Sequence, residues 1–261
     1  MEKWKLFIHG RFVCAAGAKT IPVLNKATGE TVACVPESSR QDVDDAIASA
    51  STSFSRWRQM PVHERAAILH RTATAVREQI ERLAQLLTTE VGKPLADARG
   101  EVTAVAGSLD FFAEEGKRIR GEIPQLNGRD EQVMILKEPV GVSWKLRAAL
   151  AAGCTLVAQP AAETPFSTLT LASIMAEAGL PAGVFNVVTG YGHTVGATLV
   201  AHPVPRKVAF TGGVESGKKI YALAAQTNKR VTLEMGGQCP AIVCNDADLG
   251  STRKPKSMVN L

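Results

Sequence analysis

No stretch of this sequence approaches the run of about 18 uncharged apolar residues that a membrane-spanning helix needs, so a spanning segment is not expected. The first twelve residues, MEKWKLFIHGRF, scatter charge where a secretory signal would carry an apolar core, so no signal peptide is expected. Cysteine is scarce and dispersed: five residues, at 14, 34, 154, 239 and 244, with no CxxC pair. That spacing argues against a disulfide framework or a zinc site and suits a reducing compartment. A cytoplasmic location is expected, and a mitochondrial one is not excluded. Charge of one sign never accumulates. The chain is basic overall, with 30 Lys and Arg against 25 Asp and Glu, but the two signs are interleaved. A nucleic-acid surface needs clustering, so no nucleic-acid partner is expected. The one small cluster, Arg253, Lys254 and Lys256, lies in the last nine residues and reads as a tail. No internal repeat is present. What remains is ordinary globular composition, 45% hydrophobic and 21% charged over 261 residues, which excludes collagen-like, coiled-coil and wholly disordered chains.

The chain changes texture along its length. Trp4–Ile8 and Arg11–Val13 flank His9-Gly10, a hairpin signal. Lys26–Glu30 is a second turn, between strand-like runs at Ile21–Leu24 and Thr31–Cys34. Ser38 and Ser39 are N-cap candidates for a helix carrying Val43, Ala46, Ile47 and Ala50 at helical spacing. A single helical pattern follows from Pro61 to Val91, broken at Gly92-Lys93-Pro94, and a further one reaches about Arg120. Pro124, Asn127 and Gly128 then mark loops around a strand-like Val133–Leu136, which suggests two antiparallel strands projecting from a helical body. After Leu146 short apolar runs alternate with helical ones. Strands are expected at Thr155–Ala158, Val184–Val188, Lys207–Phe210, Arg230–Leu233 and Ala241–Cys244. Helices are expected from Thr164 (N-cap) and Pro165 (N1) to Gly179, from His193 to Ala201, and from Val214 to about Gln226. This alternation predicts βαβ units, hence an α/β fold with a doubly wound parallel sheet.

In such a sheet, ligands bind beyond the carboxyl ends of the strands. The richest edge is Lys207–Lys219, where a strand runs into Gly212 and Gly213 and a helix starts near Val214. Glycine lets the backbone approach an anion, and a helix N-terminus offers free N–H groups and a positive dipole end. The spacing Gly212 to Lys218 fits G-x-x-x-x-G-K, but Lys219 stands where a P-loop has Ser or Thr, and no G-x-G-x-x-G follows any strand. A P-loop-like NTPase and a dinucleotide site both stay open on these residues alone. A second edge, Val231–Gly237, places Glu234 at the end of a strand before two glycines. Burial there would raise its pKa and make it a usable base. Two further edges are Ala158–Pro165 and Thr189–His193, where His193 reads as a loop or cap residue.

Taken in order, AALAAGCTLVAQPAAETPFS (148–167), GLPAGVFNVVTGYG (179–192), KVAFTGGVESGKK (207–219) and KRVTLEMGGQCPAIV (229–243) strongly resemble the NAD(P)-dependent aldehyde dehydrogenases. IHGRFV (8–13), NKATGE (25–30) and FAEEGKRIRGE (112–122) resemble the family's N-terminal half, the last of them its succinate-semialdehyde dehydrogenase branch. The resemblance implies a cofactor domain from residues 1–120 and 143–249, a β-hairpin arm used in oligomerisation over 121–142, and a divergent tail over 250–261. It places the cofactor pyrophosphate at Gly212, Gly213, Val214, Glu215, Ser216 and Gly217, and the adenine side at Gly192. Gln159 takes the place of a lysine that contacts the adenosine ribose. Ala162 takes the place of a glutamate that binds the ribose hydroxyls, which leaves room for a 2′-phosphate. NADP or NAD, weakly held, is the cofactor implied. Glu234 matches the general base that activates the hydrolytic water. The substrate implied is a small aldehyde.

Three departures from the family pattern bear on activity. EPVGV (138–142) runs directly into SWKLRAALAAGC (143–154), without the further strand and Pro-Trp-Asn-Phe-Pro segment that carry the oxyanion-stabilising Asn. The similarity stops soon after Leu249, short of the catalytic domain and its nucleophilic Cys. Residues 250–261 do not resemble the family. Cys239 follows Gly-Gly-Gln but matches a small residue, and Cys154 matches a structural Cys. The expectation is a chain of dehydrogenase ancestry with little or no catalysis, acting alone, as a homo-oligomer, or as a non-catalytic partner of full-length relatives.

Overall fold

The structure is a computed structural model and describes residues 2–124, 133–143, 146–237 and 244–247. Chain order is β1 (Glu2–Lys3), β2 (Leu6–Ile8), β3 (Arg11–Val13), β4 (Thr20–Leu24), β5 (Thr31–Pro36), α1 (Arg40–Gln59), α2 (Val62–Glu78), α3 (Ile80–Val91) and α4 (Leu95–Lys117). It continues with β6 (Val142–Ser143), α5 (Leu146–Ala151), β7 (Thr155–Ala158), α6 (Phe166–Glu177), β8 (Phe185–Val187), a π-helical turn (Gly192–Gly196), α7 (Ala197–Ala201), β9 (Lys207–Gly212), α8 (Val214–Ala225) and β10 (Arg230–Met235).

The central sheet has the order β3-β2-β8-β7-β6. Strands β6, β7 and β8 are parallel, and β2 joins β8 antiparallel. Side-chain alternation buries both of its faces. Phe7, Leu156 and Val187 enter one core with Leu69 of α2, Leu109 of α4 and Phe166 and Leu169 of α6. Leu6, Ile8, Val157 and Val188 enter another with Val43 and Ile47 of α1. Helices on both faces make the sheet doubly wound, as the alternating pattern predicts. β9 and β10 form a separate parallel pair with a small core of Val200, Val208 and Ala224. A side sheet, β1-β5-β4, covers one flank.

Local signals explain the best-placed elements. His9 and Gly10 both take positive φ, 54° and 73°, the conformation a two-residue hairpin turn needs. Ser39 caps α1 in a capping box: its hydroxyl accepts from the Asp42 N–H at 3.2 Å, and the Asp42 carboxylate accepts from the Ser39 N–H at 2.7 Å. Gly92 closes α3 in the left-handed conformation, φ 79°.

Four expectations need correction. The Pro61–Val91 run is two helices, divided at Gln79, where no glycine or proline marks the break. The α6 cap is not Thr164. Pro165 precedes the first helical residue, and the carboxylate of Glu90, on α3, accepts from the N–H groups of Phe166 (2.8 Å) and Ser167 (3.0 Å). Helix α5 lies where no helix was expected. The two antiparallel strands over 121–142 appear as one bridge, Glu122 to Ile135, with residues 125–132 outside the described set. The expected strand at Ala241–Cys244 and the tail 250–261 lie wholly or mostly outside the described residues.

Candidate functional site

Two parallel strand pairs present their carboxyl ends with the loops singled out in the sequence. β7 runs into Gln159, and β8 into Val188 and then Thr189-Gly190-Tyr191-Gly192. β9 ends at Gly212-Gly213 and β10 at Met235-Gly236-Gly237. Helix α7 packs against α8, so the loop after β8 and the turn after β9 flank the same short helix.

The turn after β9 has the geometry of an anion cradle. Gly213 is the N-cap of α8 in an extended conformation, and no side chain caps the helix. Among the described residues the first-turn N–H groups therefore have no side-chain acceptor. Val214, Glu215 and Ser216 are exposed on that first turn. The glycines there have different causes. Gly212 sits at φ 159° with a Cβ position 2.6 Å from the Phe210 ring, and the Gly217 position lies 2.4 Å from Met235 Sδ. Gly212 is fixed by its backbone and the Phe210 ring, whereas Gly217 faces a methionine side chain that can move aside. A Cβ on Gly213, or on Gly192, would meet nothing within 4 Å. At these two glycines, as at Gly236 and Gly237 beyond β10, a side chain would meet open space. Lys218, the lysine of the G-x-x-x-x-G-K spacing, is ion-paired to Glu215 at 2.8 Å.

The loops after β7 and β8 are tied together. Gln159 Nε2 donates to the Gly190 carbonyl at 2.7 Å, and its Oε1 lies 2.8 Å from the Cβ position of Gly196. Gln159 thus holds the mouth of the crevice closed on itself. Gly190, at φ 155°, has a Cβ position 2.2 Å from Val195 Cγ2, so no side chain fits there. His193 stacks on Tyr191, ring centroids 5.6 Å apart, as a loop residue. Ala162 is 7% exposed and belongs to the main core.

Glu234 lies in register with Thr211 of β9. Its side chain is exposed, not desolvated. The cause is the sheet itself: among the described residues β10 is the edge of a two-stranded sheet. Cys154 is buried, and burial pushes its thiol above the ordinary range, which leaves it unreactive. Cys14 and Cys244 are exposed free thiols, and Cys239 lies outside the described residues. No group of three metal-ligating side chains occurs among the described residues, and no described helix is long and apolar enough to cross a membrane.

Sequence reasoning missed Glu90. Fully buried, it fixes the start of α6 and so the turn carrying Gln159 and Ala162. No local motif announces it, because its partners lie more than seventy residues on.

Comparison with known proteins shows the family and the fold. The model for the aldehyde dehydrogenase family matches residues 12–255. The chain is 41% identical over 256 residues to succinate-semialdehyde dehydrogenase [NADP(+)] GabD of Escherichia coli, covering 93% of this chain and 53% of that protein. The structure of an NAD-dependent aldehyde dehydrogenase from Sinorhizobium meliloti superposes with a TM-score of 0.92 at 37% identity, over 96% of this chain and 53% of that one. That of 3,6-anhydro-L-galactose dehydrogenase in complex with NAP gives 0.91 at 33%, over 95% and 55%. The chain spans about half the length of the curated relatives it matches.

Proposed function

Because the chain belongs to the aldehyde dehydrogenase family, we propose that it carries the nucleotide-binding half of an NAD(P)-dependent semialdehyde dehydrogenase. The carrying observation is the uncapped N-terminus of α8 behind Gly213, where a Cβ would meet only open space. Backbone N–H groups of Val214, Glu215 and Ser216 hold the pyrophosphate, and Gly192 lies on the adenine side. Gly212 and Gly217 shape the turn through their packing on Phe210 and Met235. When bound, the nicotinamide supplies hydride acceptance from an aldehyde. Affinity is weak. Gln159 is neutral and its amide is already committed to Gly190, so the ribose loses a charge-assisted bond worth roughly 1.5–3 kcal/mol. Ala162 carries no carboxylate to select NAD over NADP. Glu234 stands in the position of the general base. It is exposed in this chain.

The same reading makes this chain inactive by itself. EPVGV (138–142) leads within a few residues into α5, which supports a missing strand and oxyanion Asn. A role as a non-catalytic partner of full-length relatives, joined through residues 121–142, is favoured by one observation. Ile123 and Leu136, beside the Glu122–Ile135 bridge, are 71% and 73% exposed. No observation favours the P-loop reading. The test is turnover of succinate semialdehyde with NAD or NADP, followed as reduced cofactor. None is expected. A rate within about tenfold of an intact family member, lost on Cys239→Ala, overturns the proposal.

A further inference from the structure

A second cleft lies at the opposite end of β9 and β10, with a volume of about 680 Å³. Arg206, Lys229 and Arg230 line it with Glu138, Pro203 and Asn228. Arg206 immediately precedes β9 and Arg230 opens β10; the Arg230 N–H donates to the Arg206 carbonyl at 3.0 Å, so the two residues stand at the same end of neighbouring strands. Lys229 is 8% exposed. Its Nζ donates to the carbonyls of His202 at 2.6 Å and Pro205 at 2.7 Å, leaving one of three N–H donors without a protein partner. No ion pair links any of the three cations to a carboxylate among the described residues. The one acid in the cleft, Glu138, faces Arg58 at 3.9 Å. Buried charge in proteins is ordinarily paired. Here it is not, and burial holds the Lys229 ammonium below its ordinary pKa.

We infer that this cleft binds a small molecule through a compact dianionic group, phosphoryl or dicarboxylate, held by Arg206 and Arg230 with Lys229 beneath. Two guanidinium forks suit a two-oxygen anion, and the proline and leucine wall (Pro203, Leu136) accepts an apolar body. The site is separate from the glycine turn. β9 spans six residues, so the two ends lie roughly 20 Å apart.

The test is thermal unfolding at constant ionic strength against inorganic phosphate, succinate and chloride. Arg206→Gln/Arg230→Gln and Gly213→Val are run beside the parent. Both arginines are exposed, so the double variant should fold. The expected result is a saturable Tm rise of about 2–4 °C with phosphate or succinate and none with chloride. The double variant should lose it and Gly213→Val keep it. Saturation by phosphate alone assigns a phosphoryl ligand, and by succinate alone a dicarboxylate. A response that does not saturate, survives in the double variant, or disappears in Gly213→Val overturns the inference.

Discussion

Replacing Glu90 should destabilise the chain more than any other single polar substitution on this side of the sheet. Its carboxylate is fully buried, and each oxygen accepts one N–H of the first turn of α6. Glu90→Ala leaves the buried Phe166 N–H and the half-buried Ser167 N–H without their acceptor, at about 1–3 kcal/mol for the first and less for the second, and removes the anion from the positive end of the helix. Water entering the space left behind offsets part of this, so the net loss is about 3 kcal/mol, or roughly 6–12 °C in Tm for a domain of this size. Glu90→Gln keeps one acceptor and should lose about half as much. The pH dependence has a definite sign. Burial raises the Glu90 pKa above its ordinary value despite the N–H bonds that oppose it. Between the unfolded and folded values the folded state holds a proton that the unfolded state has released. The contribution of this group is therefore fully present below the unfolded pKa and falls away as pH rises through the folded one. Urea denaturation of parent and Glu90→Gln across the acid-to-neutral range reads both effects. The parent should lose stability relative to Glu90→Gln as pH rises through that window. A Glu90→Ala variant within about 0.5 kcal/mol of the parent, with an unchanged pH slope, would refute the reasoning.

Further outcomes follow from other contacts. Ala162→Glu should cost at least about 2 kcal/mol by placing a carboxylate in the main core, measured by denaturation; a variant as stable as the parent would show that the turn opens freely. Gly190→Ala should cost about 1–3 kcal/mol because its Cβ overlaps Val195, with partial rescue by Val195→Ala, whereas Gly192→Ala should be neutral. His70 bridges Asp110 (2.6 Å) and Glu114 (2.8 Å) between α2 and α4, and these bonds raise its pKa. Its contribution is full below the ordinary His value and lost as pH rises through the raised one, so the parent's advantage over His70→Gln should shrink toward alkaline pH. An advantage that grows instead would contradict the assignment.

The sequence was most legible where one or two residues dictate the backbone. His9-Gly10 set the first hairpin, and Ser39 with Asp42 the start of α1. The strand runs at 155–158 and 207–210 read correctly because both faces of those strands are apolar or nearly so. Long-range causes stayed hidden. Gln79 divides two helices without a breaker residue, because tertiary packing and not local propensity decides the turn. Glu90 displaces Thr164 as the α6 cap, which only the folded chain can arrange. The exposure of Glu234 depends on what lies beside β10, which no motif in VTLEMGG encodes. Gly213 and Gly217 look alike in sequence, yet one faces open space and the other Met235.

That last contrast bears directly on the central claim, that the uncapped start of α8 receives the pyrophosphate of NAD or NADP. The measurement is calorimetric titration of both cofactors into the parent and Gly213→Val, with the unfolding of each variant recorded. Valine suits the extended backbone at 213 and meets no protein atom at its Cβ, so the fold should be unchanged. The expected result is weak binding of both cofactors to the parent, with no preference for NAD, abolished in Gly213→Val at unchanged Tm. Binding that tolerates valine at 213, or tight NAD-selective binding, would place the cofactor elsewhere in the chain.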